Sequence, residues 1–498
     1  MRKEFDSFGA ILAAHAADRP DATAVTDKDA ASTYSELNDR ARRLNELLRS
    51  AGAGRGDVVA LMVPNSGAFV AAFFAIADAG CVVAPFNTRY QQQELRYYIE
   101  DTEAAVIVVA SELQETVTEV VREIARKPAI VSIDGDATAT LLEPANFSAR
   151  ITEKTTASDR DFLLLQYTSG STGAPKRIFR THRQLLLELE QLKCAFQLQT
   201  ADRFIGAAPF SHVNGLVRTM MASMYIGGAL YPVPAFDRRG VLDLITNERI
   251  TYFGGVPYMF ALLADTPARG TVDLSSLRIV FSASAPLLED DNRRFFDRYG
   301  RAVRQLYGST ETGTISVNLH SNPLEKPESV GTPLTGVRIE IIDDDGGSLP
   351  ADREGEVVIK SPWAITEYAG NAQATAEAFV EGTYRSGDLG VLDAEGYLRL
   401  TGRKKFMINR GGFKVNPLEV EKAIMSFDKV REVVVLGQVS RFGDESVRAV
   451  VVAGEPCAPD EIIDHCRSRI ADYKIPSRIE FRDELPKSQT GKILRNEL

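Results

Sequence analysis

The chain has 498 residues, a hydrophobic fraction of 44% and a formal net charge of −10. That length exceeds what one hydrophobic core supports, so we expect two or three domains of an ordinary globular protein. The negative charge disfavours non-specific binding to nucleic acid or to an anionic membrane surface. The four cysteines are scattered and form no C-x-x-C pair, which disfavours a disulfide framework or a zinc site and fits a reducing compartment.

The chain shows no sign of a membrane segment. Its start, M-R-K-E-F-D-S-F, mixes acids with bases and lacks the apolar core of a secretory signal. The most apolar stretch, Ala68–Ala77, ends at Asp78 and is far shorter than the ~20 residues that a membrane span needs. We therefore expect a cytoplasmic protein without a membrane span.

The first 160 residues alternate between helical and strand patterns. Leu37–Ala51 and Ala68–Ala79 have helical spacing, whereas Val58–Val63 and Cys81–Ala84 are typical of buried strands that end at a proline. This strand–helix–strand order predicts a doubly wound α/β layer with parallel strands. We see no chemistry in this part and interpret it as scaffold.

A glycine-rich segment, Y-T-S-G-S-T-G-A-P-K, occupies Tyr167–Lys176 between two predicted strands, Phe162–Gln166 and Arg177–Arg180. Glycines and small hydroxyls allow backbone N–H groups to surround an anion, and Lys176 adds a charge suited to phosphate. The spacing is not that of a P-loop, because Lys176 follows Pro175. A flexible Ser/Gly turn is the alternative, but ten residues of this composition between two strands favour a phosphate-binding loop.

A second motif, Q-L-Y-G-S-T-E-T, occupies residues 305–312. The ring of Tyr307 can stack on adenine, the Thr310 hydroxyl can donate to an α-phosphate, and Glu311 is a hard oxygen ligand suited to Mg²⁺. A solvated turn with a core tyrosine is the competing interpretation.

Both motifs resemble the signature sequences of the adenylate-forming superfamily, which comprises acyl- and aryl-CoA synthetases, peptide-synthetase adenylation domains and luciferases. The resemblance covers essentially the whole chain and is strongest to acyl-CoA synthetases. It implies that ATP, Mg²⁺ and CoA are the cofactors and that the glycine-rich loop holds the β- and γ-phosphates. Arg177 departs from the pattern, because the family commonly has a small residue after Pro-Lys.

The resemblance also implies site residues. Those for the nucleotide are Thr168, Ser169, Gly170, Ser171, Thr172, Gly173 and Lys176 at the phosphates, Ser284, Ala285, Pro286, Tyr307 and Gly308 near adenine, and Asp388 and Arg403 at the ribose. Glu311 and Thr168 are assigned to the metal, and Thr310 to the α-phosphate.

The implied acid pocket consists of His212, Asn214, Tyr258, Ser282, Ser284 and Gly308. His212 alone would more often be a satisfied core histidine, but the resemblance makes it a wall and gate of the pocket and not a proton-transfer group. Ala283 and Ser284 stand where glycines are common, which favours a short or compact acid. No basic residue in this set marks a dicarboxylate.

The C-terminal part carries its own pattern. We expect residues 1–404 to form a large N-terminal domain of doubly wound sheets, and residues 405–498 a small mobile α+β domain. Asn416, Pro417 and Glu419 predict an N-cap, a first-turn proline and a capping-box acid.

By resemblance, Lys405 is the hinge of the small domain. Gly411 and Gly412 would face the CoA tunnel. Lys492, in T-G-K-I-L-R, would be the catalytic lysine.

These inferences predict an ATP-dependent acid–CoA ligase for a short, compact or aromatic acid. Adenylation brings two anions together, and Lys492 is the expected stabiliser. One alternative is a stand-alone adenylating enzyme that loads a carrier-protein phosphopantetheine. A non-catalytic ATP-binding regulator is the other, and the joint presence of the motif residues disfavours it. No pattern predicts the oligomeric state.

Overall fold

The chain is an α/β protein with mixed sheets, a large N-terminal domain and a small C-terminal domain, as the sequence predicts. The computed structural model describes residues 5–28, 30–146, 157–168, 175–267, 270–410, 413–439, 445–488, 491 and 493–498.

Two compact units divide the chain. The first unit comprises Met1–Pro327, Leu334–Val337 and Ser361–Phe379, and the second unit comprises Glu328–Pro333, Arg338–Lys360 and Val380–Leu498. Residues 380–404 therefore group with the C-terminal part, and the hinge at Lys405 stays a prediction.

A seven-stranded sheet in the first unit carries the glycine-rich segment near one edge. Its strands, in spatial order, are Ala139–Glu143, Ala129–Ile133, Val106–Ala110, Val58–Met62, Val82–Pro85, Phe162–Thr168 and Lys176–Thr181. The five inner strands are parallel and the two edge strands are antiparallel to their neighbours. The apolar runs of the inner strands are buried, as expected for a parallel sheet covered on both faces.

A second sheet of the first unit carries the Y-G-S-T-E motif. Its strands, in spatial order, are Gly313–Val317, Arg304–Ser309, Ile279–Ser282, Tyr252–Gly255, Arg203–Gly206, Ala229–Pro232, Thr23–Asp27 and Ala30–Thr33. The six inner strands are parallel, so their carboxyl ends share one edge of the sheet, where α/β proteins bind ligands.

Helices surround both sheets of the first unit. They are Gly9–Asp18, Tyr34–Ser50, Gly67–Asp78, Gln92–Thr102, Gln114–Glu123, His182–Phe196, Val213–Gly215, Ala222–Ile226, Arg238–Asn247, Pro257–Ala264, Glu289–Tyr299 and Ala372–Ala378, with a π-helical segment at Leu216–Met221 and 3₁₀ turns at Ser111–Leu113 and Pro323–Glu325. Among the residues described, no helix has the length and apolar character to cross a membrane.

The main core lies around the helix Gly67–Asp78, whose residues from Gly67 to Ala77 are all buried. This helix is apolar on every side because it packs in one cluster with residues of both sheets, such as Val59 and Phe281. Its start is fixed by Ser66, whose side chain accepts a hydrogen bond from Phe69 N.

The segment Tyr252–Tyr258, whose pattern predicts a strand running into a glycine-rich turn, forms a strand that ends at Gly255, and Pro257 then begins a helix. Proline suits the first helical turn because its missing N–H has no partner there in any case.

The described residues of the second unit form three sheets. An antiparallel sheet has the order Arg338–Ile342, Gly355–Lys360, Thr383–Leu392, Leu398–Arg403 and Ser329–Pro333. The remaining strands are Ile408–Arg410 with Phe413–Val415, and Val430–Val439 with Glu445–Ala453 and Arg478–Phe481. A two-residue strand at Phe379–Val380, the helices Pro417–Met425 and Pro459–Arg467, and 3₁₀ turns at Lys404–Phe406, Asp472–Lys474 and Arg495–Glu497 complete the described elements.

The helix Pro417–Met425 begins as predicted, with one difference. Asn416 is the N-cap and accepts a hydrogen bond from Leu418 N at 3.1 Å. Glu419 closes no capping box; its carboxylate instead accepts hydrogen bonds from Lys474 Nζ at 2.6 and 2.7 Å. Lys474, from another segment, is thus the hydrogen-bond donor to Glu419 in place of the backbone N–H that a capping box would use.

His182 gives the first unit a pH-dependent stability. Its buried ring accepts a hydrogen bond from Phe8 N at Nδ1, at 3.0 Å, and burial lowers its pKa to about 4. The unfolded chain, with a histidine pKa of about 6.5, binds more protons than the fold between these values. This contribution is therefore complete above about pH 6.5 and is lost as the pH falls toward 4.

We expect the free energy of unfolding to fall by up to about 3 kcal/mol over this window because of His182. His182→Asn keeps an acceptor for Phe8 N but does not titrate, so its stability should fall less steeply with acidification. Denaturant unfolding at several pH values measures both slopes, and equal slopes would contradict the assignment.

Candidate active site

The strand pairing fixes both ends of the glycine-rich loop. Thr168 ends one strand, Lys176 begins the next, and the two residues are directly opposed across the antiparallel pair. Ser169–Gly173, which the sequence assigns to the phosphates, lie outside the described residues, so their role stays a prediction. Lys176 Nζ lies 4.5 Å from the centre of the Tyr368 ring, at cation–π distance.

Glu311 follows the strand Arg304–Ser309 and is buried. Its Oε1 accepts a hydrogen bond from the Tyr368 hydroxyl at 2.9 Å, and its backbone oxygen accepts one from Ile365 N at 2.9 Å. Tyr368 therefore contacts both the lysine predicted to bind phosphate and the carboxylate predicted to bind metal. Sequence reasoning missed this tyrosine, because only the fold brings it to Glu311.

The donor set at Glu311 fits a nucleotide-bound Mg²⁺. No cluster of three or more His, Cys, Asp or Glu side chains suited to a metal occurs in the described part of the chain. Mg²⁺ in such sites takes one or two protein ligands, and phosphates and water supply the rest. Glu311, with the Thr168 hydroxyl, would hold the ion, which when bound neutralises phosphate charge.

His212 and Thr310 lie at one small cavity of about 60 Å³. The residues that line it are Ala84, Pro85, Phe86, Tyr90, Leu165, Gln166, Tyr167, Ser211, His212, Val213 and Thr310. Burial lowers the pKa of His212, so its imidazole is neutral at pH 7. A neutral ring suits the predicted role of a wall.

Asn65 holds the loop that carries His212. Its Nδ2 donates to Gly206 O and Ala208 O at 3.0 and 2.8 Å, and its Oδ1 accepts from Phe210 N at 2.8 Å. Gly215 packs on the same loop so closely that a Cβ there would lie 2.3 Å from Ala208 O. The loop is thus fixed before and after His212.

The predicted pocket residues divide into buried and exposed groups. Asn214 Nδ2 donates to Gly255 O at 2.9 Å, and Gly255 is directly opposed to Ser282 in the parallel sheet. Ser284 is exposed, with a φ of 77°, a conformation that favours glycine, and Ala285 and Pro286 are also exposed. Tyr258 is half-buried, with its ring 5.8 Å from that of Phe236.

Ala283 packs in the main core. The preference for a short or compact acid, which the sequence suggests from Ala283 and Ser284, stays a prediction.

Arg218, which lies against Gly308, is a second residue that sequence reasoning missed. A Cβ at Gly308 would lie 2.1 Å from Gly313 O and 2.7 Å from Arg218 Nη2, so only glycine fits. Tyr307, the residue before it, is buried. Arg218 could have been noticed in the sequence as a single charge within the apolar run from Val213 to Ile226.

The predicted ribose pair forms within the second unit. Asp388 and Arg403 are directly opposed on neighbouring antiparallel strands, and Arg403 Nε donates to Asp388 Oδ1 at 2.7 Å. Gly411, Gly412 and Lys492 lie outside the described residues, so their roles also stay predictions.

Comparison with known proteins identifies the family. A model described as AMP-binding enzyme matches residues 12–369, and one described as AMP-binding enzyme C-terminal domain matches residues 419–492. The chain therefore belongs to the AMP-binding enzyme family, and the resemblance to acyl-CoA synthetases of the adenylate-forming superfamily is confirmed.

Similar proteins match over nearly their full length. A feruloyl-CoA synthase of Amycolatopsis sp is 35% identical over 483 residues, with 96% of each chain covered. A long-chain-fatty-acid–CoA ligase of Bacillus subtilis (strain 168) is 32% identical, covering 98% of this chain and 93% of the relative. The crystal structure of ATP-bound MatB from Rhodopseudomonas palustris has a TM-score of 0.89 at 28% identity, covering 99% of this chain and 98% of that one.

Tyr368 is expected to act as a positioning residue for Glu311. Tyr368→Phe removes one hydrogen bond to a carboxylate, a contribution of about 1.5 kcal/mol, and should raise the Mg²⁺ concentration for half-maximal rate about tenfold. Steady-state rates over a Mg²⁺ titration measure the change.

Tyr225→Phe is the matched control, since Tyr225 also donates to a carboxylate, Glu190 Oε2, at 2.7 Å. It should leave the Mg²⁺ requirement as in wild type. The same Mg²⁺ curve for Tyr368→Phe and wild type would show that the hydroxyl does not position Glu311.

Proposed function

We propose that this chain is an AMP-forming acid–CoA ligase that uses ATP to convert a carboxylic acid into its CoA thioester. The observation that carries the proposal is the Lys176–Tyr368–Glu311 cluster, beside the ends of the glycine-rich loop, in a chain that matches AMP-binding enzymes along its length. A lysine for phosphate and a carboxylate for a nucleotide-bound metal are what ATP activation requires.

Adenylation is the first half-reaction. A carboxylate oxygen attacks the α-phosphorus of ATP, a new P–O bond forms, and the bond to the β-phosphate breaks with release of pyrophosphate. The product is an acyl adenylate, whose AMP leaves far more readily than oxide would. Lys492 stabilises the meeting of the two anions, Lys176 binds the outer phosphates, and the Thr310 hydroxyl donates to the α-phosphate.

Thioester formation is the second half-reaction. The CoA sulfur attacks the acyl carbon, the C–O bond to AMP breaks, AMP leaves with the electron pair, and the thiol proton passes to solvent. His212 forms the wall that shields the reacting carbonyl. Lys405 is the hinge, and Gly411 and Gly412 admit the pantetheine arm.

Further residues bind the adenine and the ribose of the nucleotide. Tyr307 stacks on adenine beside Gly308, while Ser284, Ala285 and Pro286 cover the other face. Asp388 accepts hydrogen bonds from the ribose hydroxyls. Arg403, which already donates to Asp388, orients that carboxylate and reaches the same ribose.

We place the enzyme in the cytoplasm. All four of its cysteines are free thiols, which suits a reducing compartment. A carrier-protein phosphopantetheine presents the same thiol as CoA and is the second candidate acceptor.

The test is acid-dependent exchange of pyrophosphate into ATP over a panel of carboxylates. Lys492→Ala should lower the exchange by about 10²-fold or more, because one charge that stabilises the transition state is lost. Adding CoA, or a phosphopantetheinylated carrier protein, then identifies the acceptor from the thioester formed.

Lys487→Ala is the matched control. Lys487 lies five residues before Lys492 and is paired with Glu432, so its loss should leave the exchange rate unchanged. Folded protein that binds ATP but shows no exchange with any acid would contradict the ligase and favour a non-catalytic ATP-binding regulator.

A further inference from the structure

Three buried polar atoms without a hydrogen-bond partner lie in or beside the predicted acid pocket. They are Arg218 Nη2, Asn214 Oδ1 and Ser282 Oγ, on residues that are 3%, 2% and 1% exposed. A buried polar group without a partner has lost its hydrogen bonds to water without replacement, and the penalty is larger for a charged group. A polar ligand, or water bound with it, would complete the hydrogen bonding of these three atoms.

Neighbouring contacts place the three side chains at one edge of the sheet. Asn214 donates to the carbonyl of Gly255, which is directly opposed to Ser282. Arg218 follows Asn214 by four positions in a helical segment, and its Nη2 faces Gly308. Gly255, Ser282 and Gly308 all lie near the carboxyl ends of parallel strands. Arg218 also lies in a π-helical segment, a feature frequent at functional sites.

The charges around Arg218 do not balance. Glu188 Oε2 accepts a hydrogen bond from Arg180 at 2.7 Å, and its Oε1 accepts two from Thr314, from the backbone N and from Oγ1. Arg218 Nε donates to the same Thr314 hydroxyl at 2.9 Å. Of the described groups that act on Arg218, Glu188 is the one carboxylate, and it is shared with Arg180. Two guanidinium groups and one carboxylate leave one buried positive charge.

Arg218 stays protonated and Glu188 stays ionised at neutral pH. Burial lowers the pKa of Arg218 to about 10, which still leaves it protonated. Burial opposes ionisation of Glu188, but the two arginines outweigh it and hold its pKa below the usual value. An uncompensated buried cation is costly unless an anion joins it.

We propose that the acid activated by this enzyme is a dicarboxylate, and that Arg218 Nη2 binds the carboxylate remote from the reacting one. The proposal rests on the ligase function and specifies its substrate class. The Ser282 hydroxyl is a second donor for the remote carboxylate. Asn214 Oδ1, an acceptor, bonds to a bridging water or to a hydroxyl of the substrate.

A purely structural role for Arg218 makes a different prediction. Its Nε bond to Thr314 and its pairing with Glu188 would serve that role without Nη2. In that case the chemistry at the far end of the substrate would not matter. Matched pairs of acids separate the two accounts.

The first experiment uses wild-type enzyme and compares kcat/KM for CoA thioester formation within pairs of equal chain length. The pairs are succinate with butanoate, glutarate with pentanoate, and 3-(4-carboxyphenyl)propanoate with 3-phenylpropanoate. The preferred dicarboxylate should exceed its monoacid partner by about tenfold or more, as for one charge-assisted hydrogen bond. Equal rates, or faster monoacids in every pair, overturn the dicarboxylate proposal and leave the ligase function intact.

Variants at Arg218 test the contact itself. Arg218→Met should remove the preference while keeping turnover of the monoacid, and Arg218→Lys should retain part of it. Arg180→Met is the matched control, because it removes the other arginine of the cluster and should lower the midpoint of thermal unfolding without changing the preference. An equal loss on both members of each pair in folded Arg218→Met would assign Arg218 to structure alone.

Binding gives an answer that does not depend on turnover. Calorimetric titration of the dicarboxylate of each pair into wild type identifies the one that binds most tightly, and that acid should bind at least about tenfold more weakly to Arg218→Met. If no acid supports exchange or thioester formation, the ligase function fails, and this titration still decides whether Arg218 binds a remote carboxylate. Equal affinity for the two proteins would contradict the contact.

Discussion

Electrostatic repulsion between two anions is the constraint on which this site depends. A nucleoside triphosphate and a carboxylate must approach within bonding distance, in a protein whose formal net charge is −10. The local charge must therefore oppose the overall charge. Lys176 supplies a positive group within the first unit, and Glu311 is suited to hold a further cation at the phosphates.

The fold holds the charged groups of this unit among fixed partners. Lys176 lies over the ring of Tyr368, and the same tyrosine donates to Glu311, so one side chain orients groups of opposite charge. Arg218 is held through Thr314 and Glu188. Both arrangements depend on parallel strands whose carboxyl ends meet at one edge, and the apolar helix Gly67–Asp78 packs against both sheets that provide such edges.

Local motifs group those predicted site residues that are close in sequence. Thr168 and Lys176 flank one loop, and Tyr307 to Glu311 span the end of one strand and the turn after it, so their grouping requires only a strand and a turn. The α/β class, the parallel inner strands and the N-cap at Asn416 were predictable for the same reason, because apolar periodicity and capping are local signals.

The rest could not be predicted because it is tertiary. Tyr368 lies 57 positions from Glu311, and Arg218 lies 96 from Thr314, so no spacing rule connects either pair. Glu419 is a further case, since a lysine 55 positions away took the place of the local backbone partner. In each case a charged or hydroxyl group pairs with a residue that is distant in sequence. The sequence shows that such a group requires a hydrogen-bond or ion-pair partner, but it does not show which residue that partner is.

The central claim is that the acid is activated as an acyl adenylate. The C–O bond to AMP, which breaks in the second half-reaction, offers its most direct test. An acid labelled with heavy oxygen in its carboxylate should be turned over with ATP and CoA, and the AMP analysed by mass spectrometry. If the carboxylate attacks the α-phosphorus, one labelled oxygen remains on each AMP after the thiol displaces it. Unlabelled AMP, or ADP with labelled inorganic phosphate, would contradict an acyl adenylate and the account built on it.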